Sequence, residues 1–371
     1  MRIVADENMP ALTPFESQGQ VTRVNGRTLT RDQLKDTEVL LVRSVTRVDR
    51  ALLEGTPVCF VGSATIGTDH IDRQALDDLG IAFAHAPGCN ARAVVEYVLQ
   101  ALLLACHKQG RSLRESRVGI VGLGNVGGRL ADWLNALGVT VIGCDPPLAR
   151  AGARAPVPLD PLDAALEADL ISLHVPLTRD GDDATHHLLD AERLARLGPE
   201  QTLISTCRGP VIDNRALAAR LEQEDAPLAL LDVWENEPRP DPALLDRVFL
   251  GSPHVAGYSV EGKWRGTAML HQAWCRWRGE SAPEMAPPTE DAELDAPVHD
   301  EADLLALLRR AYRLHEDDAR LREAVRAPDP GVAFDTLRKN YPPRHELLYW
   351  RHRGNVAAPF KPLVSRLFAP E

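Results

Sequence analysis

The chain is short of positive charge: its 371 residues carry 42 Lys and Arg against 53 Asp and Glu, a formal net charge of −11. Nucleic-acid binding leaves a basic patch or stripe, so a phosphate-backbone partner is not expected. Long apolar runs are missing too. Nothing reaches the 18 or more apolar residues of a membrane helix, and the start MRIVADENMP has neither the basic nor the apolar region of a signal peptide. The expectation is a cytoplasmic protein with no membrane partner. Paired cysteines are also wanting: the six, at 59, 89, 106, 144, 207 and 275, include no CxxC and sit mostly inside or beside apolar runs. That argues against a disulfide frame and a metal cluster, and suits reduced thiols. What the chain does have is 44% hydrophobic residues, over a length that suggests two or three domains with proper cores.

Residues 118–145, VGIVGLGNVGGRLADWLNALGVTVIGCD, read as an apolar strand, a glycine-rich turn, an amphipathic helix ended at Gly138, and a second strand. Gly122, Gly124 and Gly127 form GxGxxG at the strand-to-helix junction. There glycines serve a tight turn, the approach of a pyrophosphate and close helix–strand packing, with the helix N-terminus facing the anion. Asp145 closes the second strand at about the 20-residue separation expected of a carboxylate that binds an adenosine ribose 2′-hydroxyl. A carboxylate there repels a 2′-phosphate, and Pro146-Pro147 follow it, so NAD is expected over NADP; Arg150 and Arg154 are the counter-signals.

Four more strand-like runs, at 168–176, 202–208, 228–234 and 248–254, follow at βα spacing. In an open parallel sheet the ligand lies outside the carboxyl ends of the strands, which should align Gly122, Asp145, His174, Arg208, Asp232 and His254 along one edge. In LISTCRGPVID, residues 203–213, Arg208 projects from a strand end ahead of a Gly209-Pro210 turn and a helix capped by Asp213. A guanidinium in that place can hold a carboxylate in a bidentate fork and polarise the adjacent carbonyl. His254, in GSPHVAGYS, follows the last strand, and Glu237, in DVWENEP, follows the one before. If the two meet, the carboxylate fixes the imidazole tautomer and stabilises its charged form.

The ordered set GLGNVG, Asp145, HVPL, CRGPVID, DVWENEP and PHVAGYS resembles the D-isomer-specific 2-hydroxyacid dehydrogenases over most of residues 60–280. The resemblance implies hydride transfer between C2 of a 2-hydroxy acid and NAD, with Arg208 on the carboxylate, His254 as acid/base and Glu237 orienting it. It further implies that Asp232 lies near the nicotinamide and that His174, Val175 and Pro176 border the adenosine. Asn125, Val126, Thr206, Cys207 and Gly257, with Arg208, complete the implied cofactor positions. The implied fold is α/β: a Rossmann-like doubly wound parallel cofactor sheet, a flavodoxin-like substrate domain, and a small C-terminal α+β domain.

DENMP at the start, VRSVT at 42–46, GSATIGTDHID at 62–72, PGCNA at 87–91, GYSVEGKWRG at 257–266 and FDTLRKNYP at 334–342 are similar to a branch of that family acting on a small phosphorylated 2-hydroxy acid. By that resemblance Ser44, Thr65 and Tyr258 match substrate contacts. The loop 62–67 can offer backbone N–H groups to a carboxylate, and Arg43 can meet the distal phosphate. Without the resemblance, Arg43 reads as a surface charge after an edge strand.

The expected domains are 1–95 plus 256–283 for substrate, 96–255 for NAD, and 284–371 at the C-terminus. The stretch 279–300 is Pro-rich and acidic and should bridge domains. Beyond it, EADLLALLRRAYRLHEDDARLREAV at 301–325 has a strong amphipathic helical pattern. Fewer than ninety residues make a marginal core, which oligomerisation would complete, and the resemblance implies a homodimer through this segment. Truncation near residue 285 is accordingly expected to leave a folded dehydrogenase core. Two alternatives stand beside the main reading: another enzyme of the family, such as one acting on D-3-phosphoglycerate, and an NAD-sensing binding protein of the same fold. NADH production with a small acid separates the last from the others.

Overall fold

Short apolar runs bounded by turns dominate the first ninety residues, and each becomes a parallel strand. They are β1 (Arg2–Asp6), β2 (Gln20–Val24), β3 (Val39–Val42), β4 (Phe60–Ser63) and β5 (Ala82–His85). The computed structural model describes residues 1–288 and 292–369, and internal packing divides the chain into two units. The first comprises Met1–Asn90 and Ser259–Thr289. Its sheet has the order β2-β1-β3-β4-β5, the flavodoxin-like arrangement. Both β3 and β4 are buried along their whole length, as strands covered on both faces must be. Arg43 therefore follows the central strand, not an edge strand. The returning helix Val260–Trp277 seats Leu270 and Trp274 against Phe60.

The second unit comprises Ala91–Tyr258 and Glu290–Glu371. Six parallel strands, β6 (Arg117–Val121), β7 (Thr140–Cys144), β8 (Leu170–Leu173), β9 (Thr202–Ser205), β10 (Leu228–Leu231) and β11 (Leu250–Gly251), run in the order β11-β10-β9-β8-β6-β7. A single parallel bridge from Gly143 to Leu159 adds a rudimentary strand beyond β7. The chain order reverses between β6 and β8, the switch point where open α/β sheets bind ligands. The four later runs do form strands, but each strand stops before the polar end of its run. Their last residues, including His174, Arg208, Asp232 and His254, lie on loops.

The chain divides at 90/91, 258/259 and 289/290, beside expected cut points at 95/96, 255/256 and 283/284. The segment Glu290–Glu371 is not a third unit: it packs as part of the second. There β12 (Ala292–Asp295) pairs with β13 (Trp350–Arg353), and the amphipathic pattern at 301–325 becomes two helices, Glu301–Ala311 and Leu314–Ala324. Tyr312 breaks it with an extended backbone at φ −139° and accepts a 3.0 Å hydrogen bond from Gln100 Nε2. Leu304, Leu308, Leu347, Leu363 and Leu367 share one apolar core with the helix Ala91–Gln109, which is buried from Ala91 to Cys106. Charges are buried in this contact too: Arg92 donates to the carbonyls of Arg366 and Leu367 at 2.7 Å, and Glu96 accepts from the Leu347 N–H at 3.0 Å. Burial and the nearby Glu346 push the Glu96 carboxyl up to about 8, against the pull of Arg344 and Arg92.

All six cysteines are free, and five are buried. Among the described residues no helix is long and apolar enough to cross a membrane.

Candidate active site

The glycine-rich turn sits at the carboxyl end of β6. Gly122 has φ +88°, and a Cβ there would lie 2.8 Å from the His174 carbonyl; a Cβ on Gly127 would overlap the Gly122 carbonyl. These two glycines let turn, helix and neighbouring strand end touch. At Gly124, in contrast, nothing lies within 4 Å of where a Cβ would point. The following helix, Gly127–Leu137, has Val126 at its N-cap and no side-chain cap; Gly128 N–H donates to the Gly124 carbonyl at 2.9 Å, and no side chain competes with an anion at this helix start. Open backbone and uncapped helix end together fit a dinucleotide pyrophosphate, with Asn125 and Val126 in the turn itself.

Asp145 is held in place by two backbone N–H groups: Leu123 donates to Oδ2 at 2.8 Å and Leu148 to Oδ1 at 2.9 Å. The first ties it to the glycine turn, the second makes it the cap of helix Pro146–Arg150. Each carboxylate oxygen keeps a further lone pair for a ribose hydroxyl. On the next strand end, burial pushes His174 down to about 3, so its ring is neutral; Nε2 lies 2.8 Å from the Ser172 hydroxyl. Val175 and Pro176 follow it. Just past β9, Thr206 approaches His174 Nδ1 at 3.5 Å, and Cys207 is a buried thiol whose pKa burial raises.

Arg208 follows β9, Glu237 follows β10 and His254 follows β11, three adjacent strands. Adjacent spacing near 4.8 Å sets the ends of β9 and β11, from which the Arg208 and His254 loops leave, about 10 Å apart. The Arg208 loop is pressed onto the next one: a Cβ on Gly209 would overlap the Trp234 carbonyl. Asn214 fastens the two loops, its side chain accepting from Glu235 N–H at 3.1 Å and donating to the Ile212 carbonyl at 2.9 Å. As the sequence suggested, Asp213 caps the helix Asn214–Arg220.

Glu237 and His254 do meet. Glu237 Oε2 lies 2.8 Å from His254 Nδ1, and Oε1 accepts from Trp234 N–H at 2.9 Å. Burial works against the Glu237 charge, but His254, Arg338 and the Trp234 N–H hold its carboxyl below the usual value. His254 adopts φ +57°, a left-handed conformation rare for a residue with a side chain. Such strain persists only where the surroundings impose it, and here Asp232 does. Its carbonyl accepts from His254 N–H at 2.7 Å, and its carboxylate accepts from Ser252 Oγ (2.6 Å), Val255 N–H (2.8 Å) and Ala256 N–H (3.0 Å). At 1% exposure, Asp232 spends its carboxylate on shaping the His254 loop.

Several supporting residues carry no signal in the local sequence. Ser252 joins Asp232 to Tyr97 Oη (2.8 Å), and Arg344 donates to the carbonyls of Ala256 (3.1 Å) and Tyr258 (2.8 Å). Tyr258, past Gly257 in the same loop, packs edge-on against Tyr341. These partners come from elements far away in sequence, and no local pattern announces them. In the first unit Ser44 is exposed, Arg43 lies 4.0 Å from Asp6, and Thr65 is bonded to Ser63 Oγ and the Gly67 carbonyl, both at 2.7 Å.

Residues 98–256 match the family model for the D-isomer specific 2-hydroxyacid dehydrogenase NAD binding domain, and residues 285–351 match a domain of unknown function, DUF3410. An erythronate-4-phosphate dehydrogenase from Marinobacter nauticus is 51% identical over 356 residues, 93% of each chain. The chain belongs to the erythronate-4-phosphate dehydrogenase family. A second member of that family, from Pseudomonas aeruginosa, is 49% identical over 382 residues, covering 100% of this chain and 99% of its own. Among solved structures, D-lactate dehydrogenase from Aquifex aeolicus, complexed with NAD and lactic acid, superposes with a TM-score of 0.63 at 23% identity. It covers 76% of this chain and 96% of its own length, a likeness of fold. Erythronate-4-phosphate dehydrogenases thus share with it the α/β framework on which the three strand-end residues stand.

Proposed function

We infer that this protein oxidises 4-phospho-D-erythronate at C2 to 2-oxo-3-hydroxy-4-phosphobutanoate with NAD, a step of pyridoxal phosphate biosynthesis. The observation that carries the reading is the 2.8 Å pairing of His254 Nδ1 with Glu237 on the strand next to Arg208. Arg208 holds the C1 carboxylate in its fork and polarises C2 as it becomes a carbonyl. His254 Nε2 takes the C2 hydroxyl proton, and Glu237 fixes the tautomer that makes this possible while stabilising the resulting imidazolium. NAD, when bound, would supply the hydride acceptor for C2. The turn 122–127, Asp145, His174–Pro176, Thr206–Arg208, Asp232 and Gly257 form its site in this reading, with Asp232 acting through the loop it shapes. Ser44, Thr65 and Tyr258, together with Arg43, contact the substrate; the family relationship supports these four.

The test is a panel of phosphorylated and unphosphorylated 2-hydroxy acids with NAD, the keto product being trapped to draw the equilibrium forward. Turnover of D-3-phosphoglycerate in preference to 4-phospho-D-erythronate would replace the reading, and no NADH with any acid would favour a binding protein. Alongside it we place the protein in the cytoplasm, supported by its six free thiols, and as a homodimer through residues 284–371, supported by Val332, which is 64% exposed on the helix Pro330–Lys339. A monomeric mass by light scattering would sink the dimer.

Asp145 sets the cofactor preference. Asp145→Ser with an arginine introduced at Pro146 should lower the kcat/KM ratio of NAD over NADP, because a ribose acceptor is exchanged for a phosphate partner. Serine can still cap the following helix, so the fold should survive. Wild-type enzyme that used both cofactors equally would contradict the assignment.

A further inference from the structure

The helix Pro330–Lys339 carries one charge into the interior of the second unit. Arg338 is 8% exposed, lies over the rings of Tyr258 (5.7 Å) and Phe334 (5.9 Å), and its Nε has no hydrogen-bond partner. A buried guanidinium N–H without an acceptor is costly, and native structures keep such groups where an acceptor arrives. The charged and titratable groups that act on it are Tyr258, Glu237, Asp335 and Asp232. Three of these four belong to the catalytic region: Glu237 pairs with His254, Asp232 shapes the His254 loop, and Tyr258 lies four residues beyond His254 in that loop.

The proposed substrate poses an electrostatic problem that bears on this arginine. Its phosphorus sits four bonds beyond the carbon oxidised next to His254, so a dianion must settle close to two carboxylates, Glu237 and Asp232. Without a cation at hand their repulsion would exclude it. Arg208 is committed to the C1 carboxylate in this mechanism, and the charge of Arg43, a substrate contact in the same reading, is offset by Asp6 at 4.0 Å. We propose that Arg338 is the specificity residue for the distal phosphate, donating from its guanidinium edge beside Tyr258. The assignment rests on the 2-hydroxyacid dehydrogenase reading given above. It gives the C-terminal segment a direct part in choosing a phosphorylated acid.

The test compares wild type, Arg338→Gln and Arg338→Lys with 4-phospho-D-erythronate, with D-erythronate, and with inorganic phosphate as a competing anion on the NADH-saturated enzyme. Loss of charge-assisted hydrogen bonds to the phosphate should lower the ratio of kcat/KM for phosphorylated over unphosphorylated acid by roughly 10- to 100-fold in Arg338→Gln, mostly through KM. Inhibition by phosphate should weaken by a similar factor. Lysine keeps the charge and loses the fork, so it should fall between. NADH binding reports that each variant is folded, and if the glutamine variant is not, the lysine variant carries the comparison. An unchanged ratio overturns the proposal. So does an equal loss on both acids with a displaced pH profile, which would make Arg338 a positioning residue for Glu237. Wild type that ignored 4-phospho-D-erythronate would defeat the functional reading instead, and phosphate binding to wild type against Arg338→Gln would still decide the role of Arg338.

Discussion

Replacing His254 with Ala should lower kcat in both directions by about 10²- to 10⁴-fold, the usual contribution of a positioned proton carrier. Binding of NADH should persist, because the glycine turn and Asp145 stand on other strands. Glu237→Gln is the more diagnostic change. Oxidation needs neutral His254 to accept the hydroxyl proton, so its rate falls on the acid side; reduction needs the charged ring, so its rate falls on the basic side. Removing the Glu237 charge disfavours the imidazolium. Both limbs must then move to lower pH: oxidation survives further into acid, while reduction fails earlier as pH rises. The coupling runs through the 2.8 Å contact between His254 Nδ1 and Glu237 Oε2. Lost orientation alone would depress both maxima without moving either limb. The measurement is kcat/KM against pH in both directions. Fixed limbs would mean the pair is not coupled, and an active His254→Ala would end this mechanism.

Truncation near residue 285, which the sequence alone suggests should leave a folded core with weakened dimerisation, is expected to abolish folding of the second unit. The helix Ala91–Gln109 is buried from Ala91 to Cys106, and residues beyond the linker supply much of its cover. Losing even a few packed leucines costs about 2–5 kcal/mol each, which soon exceeds a net stability of about 5–15 kcal/mol. The cut would also strip Arg92 of the Arg366 and Leu367 carbonyls and release the Ala256 and Tyr258 carbonyls from Arg344. A fragment ending at 285 should bind a hydrophobic dye and show no cooperative melt. A truncated protein with a sharp thermal transition and full NADH affinity would refute this.

These two cases mark what local sequence conveys. The glycine turn, the Gly138 and Asp213 caps, Asp145 and the order of strand-end residues were all legible, because each rests on neighbours within one βα unit. The length of β11 was not. Pro253 and His254 leave the strand direction since Asp232, some twenty residues earlier, draws the loop back by three hydrogen bonds. Nor was the break at Tyr312, whose carbonyl is claimed by Gln100 across 212 positions. The same holds for Arg344 and Arg338. Amphipathic periodicity shows that a helix has an inner face, yet it does not say which helix that face will meet.

The grip of Asp232 on Val255 and Ala256 has a consequence for amide exchange. Both N–H groups point at a carboxylate with 1% exposure, and Arg344 holds the carbonyls of Ala256 and Tyr258 from the other side. Solvent can reach these two amides only when the loop releases both anchors together, so their protons should trade with deuterium as slowly as those of the core strands. The segment that hands a proton to and from substrate in every turnover would then be among the last to surrender its own.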